Sequence, residues 1–160
     1  MTTLPDLTNF QLDLDSDGVL LATFDMPGRS MNVLSESVVA DFGSLMDAVE
    51  GHDDVKGLVI TSGKAAFCAG ADLEEMGDLF GDARKAKARG PEGLKELFEK
   101  AFALNRTFRR FETCGKPVAA AVNGLALGGG FEIVLACTGR FAAPGVKLGL
   151  QEPDHGLRQP

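Results

Sequence analysis

The chain has 160 residues, enough for one domain that buries roughly 68 to 70% of its unfolded surface; 44% of them are hydrophobic and 24% charged. Such a composition excludes a wholly disordered chain and a disulfide-stapled miniature. Sixteen Lys and Arg against 23 Asp and Glu give a net charge of −7, so nucleic acid and anionic membrane surfaces are expected to be repelled rather than bound.

Cys68, Cys114 and Cys137 form no C-x-x-C pair, and an odd count cannot close a full disulfide set, which fits a reducing cytoplasm. No secretory h-region and no membrane-length apolar run is found, so a cytoplasmic protein is expected. Along the chain, Phe10, Leu12 and Leu14 alternate with polar residues, Asp15 to Gly18 supplies turn chemistry, and Val19 to Phe24 is apolar. That pattern predicts a β-hairpin. From Val38 to Val49 the apolar residues recur at helical spacing, predicting a helix over 35–50 with Ser35 as N-cap. Residues 57–62 read as a strand covered on both faces, leaving through a small-residue loop at 67–73 into another helix.

Residues 77–93 are polar and glycine-punctuated, and read either as a lid-like mobile segment or as a solvated helix. A long helix follows, with Leu94, Leu97, Phe98, Ala101, Phe102, Leu104, Phe108 and Phe111 on one face, stopped by Gly115-Lys116-Pro117. Residues 118–122 form a buried strand, 123–130 a glycine-rich loop, and 131–137 a helix. Strand, small-residue loop and helix thus occur twice.

Three consecutive glycines, Gly128, Gly129 and Gly130, precede that last helix. They either bring main-chain N–H groups to an anion or developing oxyanion, or serve only close strand-to-helix packing. The dinucleotide fingerprint fails because Ile133 stands where a glycine is required, and a P-loop fails because Ala65 follows Lys64. Glu132 sits in the first turn of an otherwise apolar helix; it is expected either in partly buried surroundings that raise its pKa, or as a carboxylate that merely answers the helix dipole. Ala69-Gly70-Ala71-Asp72 offers a second set of uncrowded N–H groups at a helix head, so the two loops together can form a two-donor oxyanion hole. Asp72 reads as an N-cap. Glu152 is the candidate second carboxylate for proton transfer beside a carbonyl, with an exposed, inert glutamate as its alternative. His52 and His155 read as surface residues, Arg29 and Lys64 as solvated cations or neighbours of a substrate phosphate, and no metal-ligand pattern is found.

Phe67-Cys68-Ala69-Gly70-Ala71-Asp72-Leu73 and Val122-Asn123-Gly124-Leu125-Ala126-Leu127-Gly128-Gly129-Gly130-Phe131-Glu132 resemble the two signature loops of the enoyl-CoA hydratase/isomerase (crotonase) superfamily. Phe24-Asp25-Met26-Pro27-Gly28-Arg29-Ser30-Met31-Asn32 and Glu112-Thr113-Cys114-Gly115-Lys116-Pro117 look more narrowly like the N-terminal hydratase domain of bacterial multifunctional fatty-acid-oxidation α-subunits. The resemblance implies an α/β spiral of ββα units, truncated at its C-terminal side, with residues 1–160 a partial domain. It implies that the N–H groups of Ala71 and Gly129 hold the thioester oxygen of an acyl-CoA. Substrate would lie along Ala69, Gly70, Ala71, Asp72, Leu73, Gly128 and Gly129, and Glu132 and Glu152 would be the catalytic pair. The implied reaction is hydration of a trans-2-enoyl-CoA in fatty acid β-oxidation, with Δ3,Δ2-isomerisation or a catalytically inactive acyl-CoA-binding piece as alternatives. No cofactor is expected, coenzyme A being part of the substrate, and full-length family members are homo-oligomers. Pro153 departs from the family pattern after Glu152 and removes a backbone N–H.

Overall fold

A computed structural model describes residues 3–150, apart from the side chains of residues 76–81, 84 and 101. The expected hairpin is present. Strand β1 (Phe10–Leu14) runs antiparallel to β2 (Val19–Phe24), and Asp15 Oδ1 accepts from the N–H groups of Asp17 and Val19 in the turn between them. Helix α1 (Glu36–Gly51) starts where Ser35 Oγ accepts the Val38 N–H at 3.3 Å, as the sequence predicts. It returns the chain to β3 (Gly57–Ser62), which lies parallel to β2. Leu58, Ile60 and Ser62 are buried while Val59 and Thr61 are half-buried, so β3 is covered fully on one face only, not on both as its composition suggests.

The polar segment after the first small-residue loop is helical. Helix α2 (Leu73–Ala88) and helix α3 (Pro91–Thr113) form an antiparallel hairpin turned at Arg89-Gly90, and the solvated-helix reading of residues 77–93 is the one observed for most of that stretch. Phe111 is fully buried and Leu104 and Phe108 pack on the core, but Leu94, Phe98 and Phe102 are exposed. The apolar stripe on α3 is therefore longer than the core it meets. Strand β4 (Val118–Val122) then pairs parallel with β3.

Beyond it the expected helix over 131–137 is present, beginning two residues earlier, together with three short strands that the sequence pattern does not announce. Strand β5 (Ala126–Leu127) precedes helix α4 (Gly129–Ala136), β6 (Gly139–Ala142) pairs parallel with β4, and β7 (Leu148–Gly149) pairs with β5. The main sheet has the order β1-β2-β3-β4-β6. The core between sheet and helices is built on Phe24, Phe42, Phe67 and Phe111 with Leu20, Leu45, Leu58 and Ile60. Phe42 meets Phe111 edge-on at 5.5 Å between ring centroids. Among the described residues no helix is long and apolar enough to cross a membrane.

Candidate active site

Both small-residue loops leave the same ends of adjacent parallel strands, β3 and β4, where α/β sheets place their ligands. They are tied together by main chain. Phe67 N–H and Cys68 N–H donate to Leu125 O at 2.9 and 3.1 Å, and Leu127 N–H returns to Cys68 O at 3.1 Å. Gly70 and Gly128 have φ of +101° and +49°, a region closed to most L-residues. Side chains there would also meet the opposite loop, since a Cβ on Gly70 would stand 3.1 Å from Leu127 O. Glycine is thus required at the seam.

The first loop is aligned by the segment entering α1. Ala69 N–H donates to Asn32 O, Leu34 N–H to Gly70 O and Asp72 N–H to Leu34 O, all at 2.8 to 2.9 Å. This is a short parallel bridge between Leu34 and Ala71. The groups of residues 70 and 72 are spent on the bridge, so the peptide N–H of Ala71 points away from it, and it carries no hydrogen bond among the described residues. In the second loop α4 begins at Gly129 after the non-helical Gly128. Phe131 and Glu132 N–H groups fold back on Gly128 O, and Gly128 N–H donates to Gly149 O, whereas the N–H of Gly129 has no partner among the described residues. Two unpaired donors therefore lie on abutting loops, which is the composition of an oxyanion hole.

Glu132 follows three residues after the second donor. Its Oε2 stands 3.6 Å from where a Cβ on Gly129 would be, so the carboxylate lies over the head of α4. The partly buried setting that an apolar helix suggests is not found: Glu132 is exposed. The reason is the short helix itself, which turns Gly130, Ile133, Val134 and Ala136 to the core and leaves Glu132 and Leu135 outward, the latter 48% exposed. Glu152 and His155 lie outside the described residues.

Asp72 is the N-cap of α2, with Oδ1 accepting Glu74 N–H at 3.0 Å. It is almost fully buried, and Arg29 stands 2.8 Å from its Oδ2 as an ion pair that approaches off the hydrogen-bond axis. Lys64 pairs with Asp25 at 2.6 Å. Each cation the sequence offers to a phosphate thus already faces a carboxylate. His52 is half-buried; it is the C-cap of α1, where its backbone N–H donates to Ala48 O. Leu73, the last residue of the first loop, is exposed. Beneath the seam, burial pushes the Cys68 thiol up to about 11, and burial likewise pushes Cys137 up to about 12, so both stay protonated thiols at neutral pH.

Two features of the site escape sequence reasoning. A cavity of about 660 Å³ opens beside Ala71 and Asp72, with Leu34, Val39, Ala40, Ala103 and Leu104 among its walls and a Lys100–Glu36 ion pair at its rim. Its size and apolar lining suit a small-molecule pocket. The other is Asn32, whose fully buried side chain joins three distant segments; only a hydrophilic residue in an apolar setting could have hinted at it.

Comparison with known proteins agrees with this architecture. A profile of the Enoyl-CoA hydratase/isomerase family matches residues 15–160. Over 142 residues the chain is 37% identical to the fatty acid oxidation complex subunit alpha of Acinetobacter baylyi and 36% identical to that of Acinetobacter baumannii, covering 89% of this chain in both cases. It spans only 18% of the length of those relatives. Among solved structures, an enoyl-CoA hydratase from Bacillus anthracis superposes with a TM-score of 0.69 at 28% identity, covering 88% of this chain and 49% of the other. An enoyl-CoA hydratase/isomerase from Xanthobacter autotrophicus gives 0.69 at 29% identity, covering 90% and 49%. The spiral α/β fold implied by the loop motifs is the fold of these proteins.

Proposed function

Because the chain belongs to the enoyl-CoA hydratase/isomerase family, we propose that its site hydrates trans-2-enoyl-CoA thioesters in fatty acid β-oxidation. The observation that carries this reading is the pair of N–H groups, of Ala71 and Gly129, that have no partner among the described residues and lie on two loops that share backbone hydrogen bonds. A thioester oxygen bound between them gains negative charge as the reaction proceeds, and donors fixed in advance stabilise that charge most.

Water then adds across the double bond. Its oxygen bonds to C3, the C2–C3 electron pair shifts toward the thioester to give an enolate-like oxygen in the hole, and Glu132 takes the proton the water loses. C2 gains a proton from the second carboxylate, Glu152 in this reading, so the proton taken and the proton given balance through the pair. The exposure of Glu132 favours this over proton shuttling between carbons, since the carboxylate stands where water reaches it. The apolar cavity beside Ala71 suits the acyl chain, and no cofactor is needed because coenzyme A arrives with the substrate.

The test is the loss of enoyl-thioester absorbance when crotonyl-CoA meets the chain, with Glu132→Gln as the control. Turnover in the parent and its loss in the variant are expected. Equal turnover in both would overturn the role of Glu132. Conversion of a 3-enoyl thioester without hydration would replace this reading with isomerisation. Tight acyl-CoA binding without any turnover would replace it with a binding function.

A further inference from the structure

The side chain of Asn32 is fully buried and lies in the turn between β2 and α1, where it is far in sequence from both loops. Its Oδ1 accepts the Met26 N–H at 3.0 Å. The two hydrogens of its Nδ2 are shared among three acceptors, Phe24 O at 2.8 Å, Ser62 Oγ at 3.0 Å and, more distantly, Phe67 O at 3.3 Å. One amide thereby joins the end of β2, the end of β3 and the first residue of the oxyanion loop. Its own carbonyl accepts from Ala69 N–H at 2.8 Å, one step before the bridge that turns the Ala71 N–H outward.

We propose that Asn32 is the positioning residue of the first oxyanion donor, acting through the 32–34 segment on the Ala71 N–H; this rests on the hydratase reading of the site. A buried amide with every group satisfied fixes its neighbours in one geometry, whereas a partly satisfied one does not. Ser62 extends the lock, because its Oγ also donates to Ala66 O at 2.7 Å and accepts Lys64 N–H at 3.0 Å. A donor displaced by around 1 Å loses on the order of 10²-fold in rate even when substrate still binds.

The experiment uses hexanoyl-CoA labelled with carbon-13 at the thioester carbonyl, whose infrared stretch falls when the oxygen is polarised by two donors. Stretch, kcat, KM and thermal melting are measured for the parent chain, Asn32→Asp and the milder Ser62→Ala. Asn32→Asp keeps the shape and the acceptor for Met26 but loses both Nδ2 hydrogens and so every contact they make to Phe24 O, Ser62 Oγ and Phe67 O. It is expected to lower kcat by ~10- to 100-fold with KM nearly unchanged, and to move the stretch back toward its value in water; Ser62→Ala does the same to a smaller degree. If either folded variant shows the parental stretch at saturation, the proposal is overturned, and Ser62→Ala decides the matter should Asn32→Asp not fold. A parent that polarises the carbonyl yet hydrates nothing sinks the hydration reading alone, while the variants' stretches still decide Asn32. A parent with no shift sinks both.

Discussion

The two strand-loop-helix units of this chain follow one plan and solve it differently. In the first, β3 to α2, the loop is held from outside by the 32–34 segment, and the helix is capped by a buried aspartate side chain. In the second, β4 to α4, no side chain among the described residues caps the helix; Gly128 turns the entrance and its N–H is tied to Gly149 O, and the first turn carries Glu132. Both present an N–H that has no partner among the described residues, but the first is set by a bridge to the segment before α1 and the second by pairing with the strand β7 after α4. The contrast teaches that glycine is needed at the seam on both sides, at Gly70 and Gly128, yet the first donor, Ala71, carries a Cβ, whereas a Cβ on Gly130, in the turn that bears Glu132, would run into the Cys68 backbone.

Substitutions matched across the two units sharpen that contrast. The largest effect is expected in the second, where Glu132→Gln should lower kcat by ~10²- to 10⁴-fold, the range of a lost general base, with melting unchanged. Steady-state hydration of crotonyl-CoA checks it. Next comes Gly130→Ala, which sets a Cβ against the backbone and Cβ of Cys68 on the opposite loop. Over-packing of that kind should cost ~1 to 3 kcal/mol of stability, read by denaturant unfolding. In the first unit, Asp72→Ala removes the α2 cap and should cost ~1 kcal/mol, with no counterpart in the uncapped α4.

The smallest effect lies far from both loops. Arg110 bridges α3 to α1 through Asp47 and Glu50 at 2.7 and 2.9 Å, and its hydrogen bond holds the Glu50 carboxyl below its ordinary value of 4.5. A carboxyl lowered on folding adds stability above its unfolded value, and that stability is lost as pH falls through the folded value. The pair is partly exposed, so screening limits it to at most ~1 kcal/mol. Glu50→Gln should therefore melt slightly below the parent at pH 7, and the gap should close below pH 4.5. A gap that persisted in acid would remove the ion pair as its cause.

Much of this was legible in the sequence because it is local. Ser35 and Asp72 announce their caps within a single turn, and the glycine runs announce positive φ or close approach. What was illegible is non-local or brief. Strands β5 and β7 are two residues each, too short for periodicity to register, and they exist because the loops pair. Asn32 gives no local sign that its amide reaches Ser62 and Phe67. Of the two readings left open for Glu132, the partly buried one fails because an apolar eight-residue helix reads as buried all round, although only one face of it meets the core.

The central claim is that one oxygen is held by donors from both units. Amide resonances of Ala71 and Gly129, followed by NMR while hexanoyl-CoA is titrated into the chain, test it most directly. Both should move downfield together and saturate at one ligand concentration, while Asp72 and Gly128, whose N–H groups are already bonded, move little. Movement of one without the other, or of neither, would contradict a shared oxyanion hole.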